Sequence, residues 1–187
     1  MNLGFIVEGF TEYEIVNSDK FKQFIQDCGH ELVEPIINAE GGGNLLPRYI
    51  NDFIRRINSG NIKADKIIVI TDLENEDSVE VVKDRIHVNS IDRDCIFVPV
   101  KAIESWFIAH LDVIRKTTDK KFPDVNDPEN KEILPWDRIK KICVDNKIRG
   151  PGFSKLAFSK RMIRNGFCVV SASQHPHLES AKLLVSA

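Results

Sequence analysis

The chain has 187 residues, of which 42% are hydrophobic and 29% are charged, and its formal net charge is −2. This length fits one domain, or one domain with an appendage, and the composition is ordinary for a globular protein that buries a core. No apolar run approaches the ~20 residues of a membrane-spanning helix, and no basic segment precedes the first apolar run. We therefore expect a cytoplasmic protein without a membrane partner.

The four cysteines are widely spaced and form no C-x-x-C pair. Such isolated cysteines are typical of small buried apolar side chains rather than of metal ligands or nucleophiles. We predict the buried, non-catalytic role for each of them. They are Cys28, Cys95, Cys143 and Cys168.

Charge is distributed unevenly along the chain. Residues 1–110 carry 11 Lys and Arg against 19 Asp and Glu, whereas residues 111–187 carry 15 against 9. An acidic half fits a cation site, and a basic half fits a polyanion such as nucleic acid. Scattered solvated charges give the same counts, so the asymmetry alone does not decide the function.

The N-terminal segment is a short apolar run that ends in a carboxylate. Residues 3–7 predict a buried parallel strand that delivers Glu8 to the carboxyl edge of a sheet, where ligands of open α/β sheets bind. Gly9 allows a tight turn, Thr11 can cap the following helix, and Glu12 falls in the first turn of that helix. Glu12 can reach the same pocket as Glu8, or it can simply complement the helix dipole.

A second apolar strand ends in the same way. Residues 66–71 are almost wholly apolar and β-branched, which is typical of a central parallel strand, and Asp72 and Glu74 follow. Taken alone, Asp72 is equally consistent with an ordinary loop carboxylate. Two strand ends that both carry carboxylates predict a site for Mg²⁺ or Mn²⁺, because these ions prefer hard oxygen ligands. A cation also explains how the carboxylates coexist without repulsion.

The order of strands and helices predicts an α/β fold with a central four-stranded, mostly parallel sheet and right-handed crossovers. Pro35 interrupts the second strand and favours an edge position for it. Residues 1–115 form the predicted core, and residues 116–187 form a loop insertion and a small helical C-terminal extension packed on it. The predicted strands cover 3–7, 32–37, 66–71 and 95–100, and the predicted helices cover 11–28, 45–58, a segment ending near 86, a segment from 103, 136–146, 153–165 and 177–185.

Three consecutive glycines, residues 41–43, follow the second strand. A glycine-rich backbone can approach a phosphate closely, but no Gly-Lys-Ser/Thr follows, so the segment is not a P-loop. We favour a flexible connector over a phosphate-binding turn.

The two strand-end motifs together resemble the Toprim domain, which is shared by topoisomerases, bacterial primases and overcoming-lysogenisation-defect nucleases. The resemblance is closest to small stand-alone bacterial Toprim-like proteins of unassigned function, and it covers most of the chain. It is carried by Val7-Glu8-Gly9-x-Thr11-Glu12 and Ile70-Thr71-Asp72-Leu73-Glu74, with further similarity in the glycine turn, in Glu104-Ser105-Trp106 and in residues 152–167.

This resemblance implies a Toprim-like, Rossmann-like sheet and Mg²⁺-dependent hydrolysis of DNA or RNA. It implies that Glu8 binds metal or acts as a general acid/base, that the Asp72 motif binds metal, and that Glu104 is a further ligand or orienter. Glu74 stands where the family usually has an aspartate, which changes the metal distance. Glu104 is also consistent with a helix N-terminal carboxylate. The predicted catalytic residues are Glu8, Glu12, Asp72, Glu74 and Glu104, and the first four are the predicted metal ligands.

The resemblance also implies a setting in bacterial defence or a toxin-like system with an ATPase partner, because nuclease Toprim proteins commonly work beside ATPase modules. Five basic residues are candidates for phosphate or nucleic-acid contacts, although for the four that lie at helical spacing we slightly favour a solvated helix face. One alternative function is a non-catalytic Toprim-fold module that binds nucleic acid or a protein partner. Another is a doubly wound domain that binds a small phosphate ligand at the glycine turn. The basic candidates are Lys101, Lys155, Lys160, Arg161 and Arg164.

Overall fold

The computed structural model describes all 187 residues and shows an α/β fold with one four-stranded sheet. Every neighbouring pair of strands is parallel, and the order across the sheet is second, first, third, fourth. The predicted fold class is therefore confirmed. The strands are β1 Asn2–Val7, β2 Glu31–Asn38, β3 Lys66–Ile70 and β4 Ile96–Phe97.

Ten α-helices and two short 3-10 helices complete the chain. None of the helices is both long and apolar enough to cross a membrane. The 3-10 helices are Gly42–Leu45 and Arg93–Cys95. The α-helices are α1 Phe10–Val16, α2 Asp19–Asp27, α3 Pro47–Ile57, α4 Val79–Ile86, α5 Glu104–Ala109, α6 Leu111–Thr117, α7 Pro135–Asp145, α8 Lys155–Arg164, α9 Val169–Ser173 and α10 Glu179–Ser186.

The chain divides into two compact units, Met1–Val98 and Pro99–Ala187. The first unit holds the sheet and α1 to α4, and the second holds α5 to α10. The sequence placed the boundary after residue 115, whereas the structure groups α5 and α6 with the C-terminal helices. Aromatic packing explains this grouping, because the buried ring of Phe107 on α5 contacts that of Phe167 at a centroid distance of 4.8 Å.

The middle of the sheet is formed by the strands that carry the two carboxylate motifs. β3 pairs with both β1 and β4, and its residues 67–70 are buried, as predicted for a central strand. β2 lies at the edge, also as predicted, and its register against β1 shifts around Pro35, which has no N–H to donate to the ladder. β4 is shorter than the predicted strand 95–100, and its pairing ends two residues before Pro99.

The predicted single helix over residues 11–28 is wrong. The helix stops at Val16 and a second one starts at Asp19. Ser18 causes the break, because its hydroxyl oxygen accepts a hydrogen bond from the Phe21 N–H at 3.3 Å and so caps α2. Helical apolar spacing continues across the break, which is why the pattern alone does not reveal it.

The cysteines differ in exposure, which gives a direct test of the packing. Cys95 and Cys143 are buried as predicted, but Cys28 is exposed and Cys168 is only half-buried, so the prediction is wrong for these two. Burial raises the pKa of the Cys95 thiol, and it raises that of Cys143 to about 11.

Because the thiolate is the reactive form, we expect iodoacetamide at about pH 8 to modify Cys28 fastest and to spare both buried thiols until denaturant is added. Peptide mass spectrometry measures this order, and rapid native modification of Cys143 would contradict it.

Candidate functional site

Glu8 follows the last residue of β1 and is fixed at the carboxyl edge of the sheet. Its N–H donates to the Ile70 carbonyl on the β3 side at 3.0 Å. Its own carbonyl accepts from the Gly41 N–H on the β2 side at 2.8 Å. The backbone of Glu8 is therefore held from both neighbouring strands, at the edge where the sequence placed it.

The Glu8 side chain joins the two strand-end motifs. Its Oε2 accepts one hydrogen bond from the Thr71 hydroxyl and another from the Asp72 backbone N–H, the latter at 3.1 Å. Thr71 is fully buried and Asp72 is only 8% exposed, whereas Glu8 is half-buried, so both bonds are partly shielded from solvent. Hydrogen bonds to a charged group contribute roughly 1.5–3 kcal/mol each. The Glu8 carboxylate is thus oriented by the end of β3 rather than left to rotate in solvent.

Glu12 is buried near the turn that follows Glu8. Only 3% of it is exposed, and a Cβ added at Gly9 would lie 3.1 Å from its Oε2. The Glu12 carboxylate therefore folds back against the β1–α1 turn instead of pointing outward from the helix. A carboxylate that only complemented the helix dipole would have no need of burial, which is costly for a charged group.

The glycine turn packs against Glu8. A Cβ added at Gly42 would lie 3.3 Å from Glu8 Oε1 and 3.4 Å from its Cδ, and the segment forms a short 3-10 helix. Gly41 adopts a φ of +123°, which favours glycine. The sequence favours a flexible connector here, whereas in the structure Gly42 packs against Glu8. Both carboxylate oxygens of Glu8 lie close to Gly42, and only Oε2 accepts the two hydrogen bonds from Thr71 and Asp72.

Glu74 differs from the other predicted ligands because it is exposed. Its φ of +48° places it in a left-handed turn, and the preceding Leu73 is buried. No group of three or more His, Cys, Asp or Glu side chains is arranged to hold a metal ion. The oxygen donors of Glu8, Glu12 and Asp72 have the chemistry that Mg²⁺ or Mn²⁺ prefers, and the ligand roles of all four carboxylates stay predictions.

Glu104 lies in the second unit and is paired with Lys155, another predicted site residue. Glu104 is completely buried, and the Lys155 Nζ lies 3.1 Å from its Oε1 in a contact that meets the distance of an ion pair. Neither Glu104 oxygen, nor the Oγ of the buried Ser105, has a partner in hydrogen-bond geometry. The side chain of Lys155 is 44% exposed. A buried carboxylate thus depends on one lysine that reaches solvent.

The remaining basic candidates are not equivalent to Lys155. Helix α8 buries Phe158 and Met162, and at 3.6 residues per turn Lys155 falls on that same side while Lys160 and Arg164 fall on the opposite side. Arg161 lies at the flank, where its guanidinium covers the Phe158 ring. The predicted cluster of four is therefore spread around the helix. Lys101, near the start of the second unit, is partly exposed and has a φ of +62°.

Two contacts to Glu8 were missed by sequence reasoning. Thr71 was treated only as part of a motif, although a polar residue directly after four apolar strand residues is a signal for a side chain that meets the sheet edge. Gly42 gives no signal of this kind, because the role of a glycine in close packing depends on what approaches it in three dimensions.

A scan against protein-family models, a search of the curated proteins and a search of the solved structures each found no match to this chain. The Toprim resemblance therefore depends on the motifs alone and stays a prediction. The structure adds that both motifs lie at the carboxyl edge of one parallel sheet and that Glu8 connects them.

Proposed function

We propose that the protein is a metal-dependent nuclease that hydrolyses phosphodiester bonds in DNA or RNA, with Glu8, Glu12 and Asp72 as its central carboxylates. The observation that carries the proposal is the double hydrogen bond from Thr71 and Asp72 to the Glu8 carboxylate. It joins the ends of two neighbouring parallel strands, and this edge is where open α/β sheets bind their ligands.

The residues of this edge have distinct parts in the proposed reaction. Thr71 and the Asp72 N–H orient Glu8 through Oε2, which directs the remaining electron pairs of the carboxylate towards a ligand or a proton. Fixing a reacting group in this way reduces the entropy that is lost when the transition state forms. The chemistry that Mg²⁺ or Mn²⁺ supplies, when bound by the carboxylates, is neutralisation of the charge that develops on the phosphate. We place Glu74 outside the central set because it is exposed.

The nuclease proposal has consequences for partners and location. The chain contains no Gly-Lys-Ser/Thr phosphate-binding loop, so ATP hydrolysis coupled to this activity would come from a separate ATPase protein, the partner that the resemblance implies. A cytoplasmic location, in a bacterial defence or toxin-like system, belongs to the same proposal. The charge of residues 111–187, with 15 Lys and Arg against 9 Asp and Glu, supports a nucleic-acid substrate.

The proposal is tested by incubating the full chain with supercoiled plasmid, linear DNA and RNA. We expect cutting of at least one substrate with Mg²⁺ or Mn²⁺ and none with EDTA. A preparation of the Asp72→Asn variant, purified in the same way, controls for a contaminating nuclease. Absence of cutting on every substrate with either metal would count against the proposal.

The second candidate function is a non-catalytic Toprim-like module that binds nucleic acid or a protein partner. The observation that favours it is the exposed, left-handed position of Glu74, which stands where the family usually has a metal-binding aspartate. This candidate predicts that oligonucleotides bind and are released uncut in the presence of either metal. The small phosphate-ligand alternative is less favoured, because Gly42 packs against the Glu8 carboxylate and an anion there would be repelled.

The contact between Gly42 and Glu8 leads to a prediction with a matched control. Alanine at position 42 would lie 3.3 Å from Glu8 Oε1 and must displace it by a few tenths of an ångström. We expect Gly42→Ala to lower the cleavage rate about tenfold with little change in thermal stability, because small shifts of a reacting group are costly. Gly43→Ala is the control, since nothing lies within 4 Å of its added Cβ. Equal rates for the two variants would show that Glu8 does not need this position.

A further inference from the structure

The segment between α7 and α8 presents one aromatic side chain entirely to solvent. Phe153 is 106% exposed, the highest value among the large hydrophobic residues of the chain. An isolated exposed apolar residue is common on protein surfaces and needs no explanation by itself. Phe153 differs from such isolated residues because the backbone around it is anchored and the segment around it is positively charged.

The backbone on both sides of Phe153 is fixed. The Arg161 guanidinium donates to the carbonyl of Pro151, which is buried, and it lies 3.9 Å from the position of a Cβ at Gly152. Gly152 turns the chain with a φ of +90°. On the other side, the Ser154 hydroxyl caps α8 by accepting from the Ala157 N–H at 3.1 Å. The turn that carries the exposed phenyl ring is therefore anchored on both sides.

The stretch of sequence that contains this turn carries charge of one sign only. Residues 146–178 contain six Lys and Arg and no Asp or Glu, although the whole chain carries a net charge of −2. Lys147, Arg149 and Arg164 are exposed and form no ion pair with a carboxylate. A cationic segment that also displays an exposed aromatic ring combines the two features that single-stranded nucleic acids recognise, phosphate contacts and base stacking.

We infer that the segment 147–164 is a binding site for single-stranded nucleic acid, in which Phe153 stacks on an unpaired base and the exposed cations contact the backbone. A side chain this exposed can stack only on a base whose face is open, and the base faces of a duplex are covered by their neighbours. This site would bind the substrate of the proposed nuclease, so its biological role rests on the proposed function. The test of the site does not depend on that function, because it measures binding without cleavage.

The test is fluorescence anisotropy of the full chain with short labelled oligonucleotides of mixed sequence in EDTA, where no metal-dependent cutting occurs. We expect single-stranded DNA or RNA to bind more tightly than the matching duplex. Phe153→Ala should weaken single-strand binding about tenfold, whereas Phe153→Trp should retain it. Leu183→Ala is the control, since Leu183 is 64% exposed and lies outside residues 146–178, the stretch without Asp or Glu. Arg149→Gln should reduce the dependence of log affinity on log salt by about one unit.

Three outcomes would overturn the inference: equal affinities for wild type and Phe153→Ala, preference for the duplex, or no binding by the wild type. Loss of self-association in Phe153→Ala with unchanged oligonucleotide affinity would instead assign the turn to a contact between copies of the chain. The nuclease proposal fails separately. If Phe153 governs binding but plasmid, linear DNA and RNA all stay uncut with Mg²⁺ or Mn²⁺, the binding site stands and the proposed catalysis does not.

Discussion

Replacing Asp72 by asparagine, or Glu8 by glutamine, is expected to reduce metal-dependent cleavage by about 10²–10⁴-fold, the range typical for loss of a catalytic acid or base. Each change removes one negative charge from the carboxyl edge of the sheet, where β1 and β3 end, and keeps the size of the side chain. In Glu8→Gln the amide oxygen can still accept from Thr71 and the Asp72 N–H, so we expect the fold to be retained. The measurements are the initial rate of plasmid cutting and the thermal unfolding midpoint.

A matched control and a second readout make this experiment decisive. Asp77→Asn removes an exposed carboxylate from the loop that follows Glu74, and it should leave cleavage unchanged. Binding of Mg²⁺ to the folded protein raises its unfolding midpoint, and this rise should be smaller in Asp72→Asn than in the wild type. Full activity in both Glu8→Gln and Asp72→Asn, with intact folding, would remove these two residues from the proposed catalytic set.

Glu74 supplies an internal comparison within the same motif. Its exposed position predicts that Glu74→Gln costs less activity than Asp72→Asn. A larger loss for Glu74 would mean that the turn after β3 changes its arrangement when substrate or metal binds. The comparison therefore shows whether the loss of activity follows the position of a carboxylate in the motif or its exposure in the fold.

The sheet and the Glu8 edge could be predicted because both depend on local pattern. Buried parallel strands are nearly continuous apolar runs, and residues 66–70 have this character. Parallel strands also end at one edge, so the residues after β1 and β3 were expected to meet, and the bond from Asp72 to Glu8 confirms that they do.

The features that the sequence does not reveal are of two kinds. In one, a side-chain hydrogen bond overrides an apolar pattern, and in the other, residues that are distant in sequence make contact. At Ser18 a cap interrupts an apolar pattern that still has helical spacing, and a side-chain hydrogen bond overrides the periodicity. Glu104 and Lys155 are separated by half of the second unit in sequence, and neither residue indicates its partner. The sequence leaves Glu104 open between a ligand and a helix N-terminal carboxylate, and Lys155 open between a phosphate contact and a solvated helix face. An acidic or basic residue in a single sequence does not reveal whether it is already paired.

The pair of Glu104 and Lys155 gives the largest expected effect on stability. Lys155→Met removes the cation beside a completely buried carboxylate, and leaving that buried charge without its partner is expected to lower the free energy of unfolding by about 3 kcal/mol. Adding Glu104→Gln should recover much of the loss, since a neutral amide is less costly to bury than an unpaired charge. Both tryptophans of the chain, Trp106 and Trp136, lie in the second unit, so their fluorescence during urea denaturation reports on this unit.

Lys182→Met is the matched control, because Lys182 forms a surface ion pair with Glu179 on α10 and such pairs contribute about 0–1 kcal/mol. A stability of Lys155→Met equal to that of the wild type would contradict the dependence of Glu104 on Lys155. The single variant Glu104→Gln then separates a structural role from a catalytic one. If the pair serves only the fold, Glu104→Gln shifts the denaturation midpoint and leaves the cleavage rate of the folded protein unchanged. A loss of cleavage at an unchanged midpoint would instead place Glu104 with Glu8 and Asp72 in the proposed chemistry.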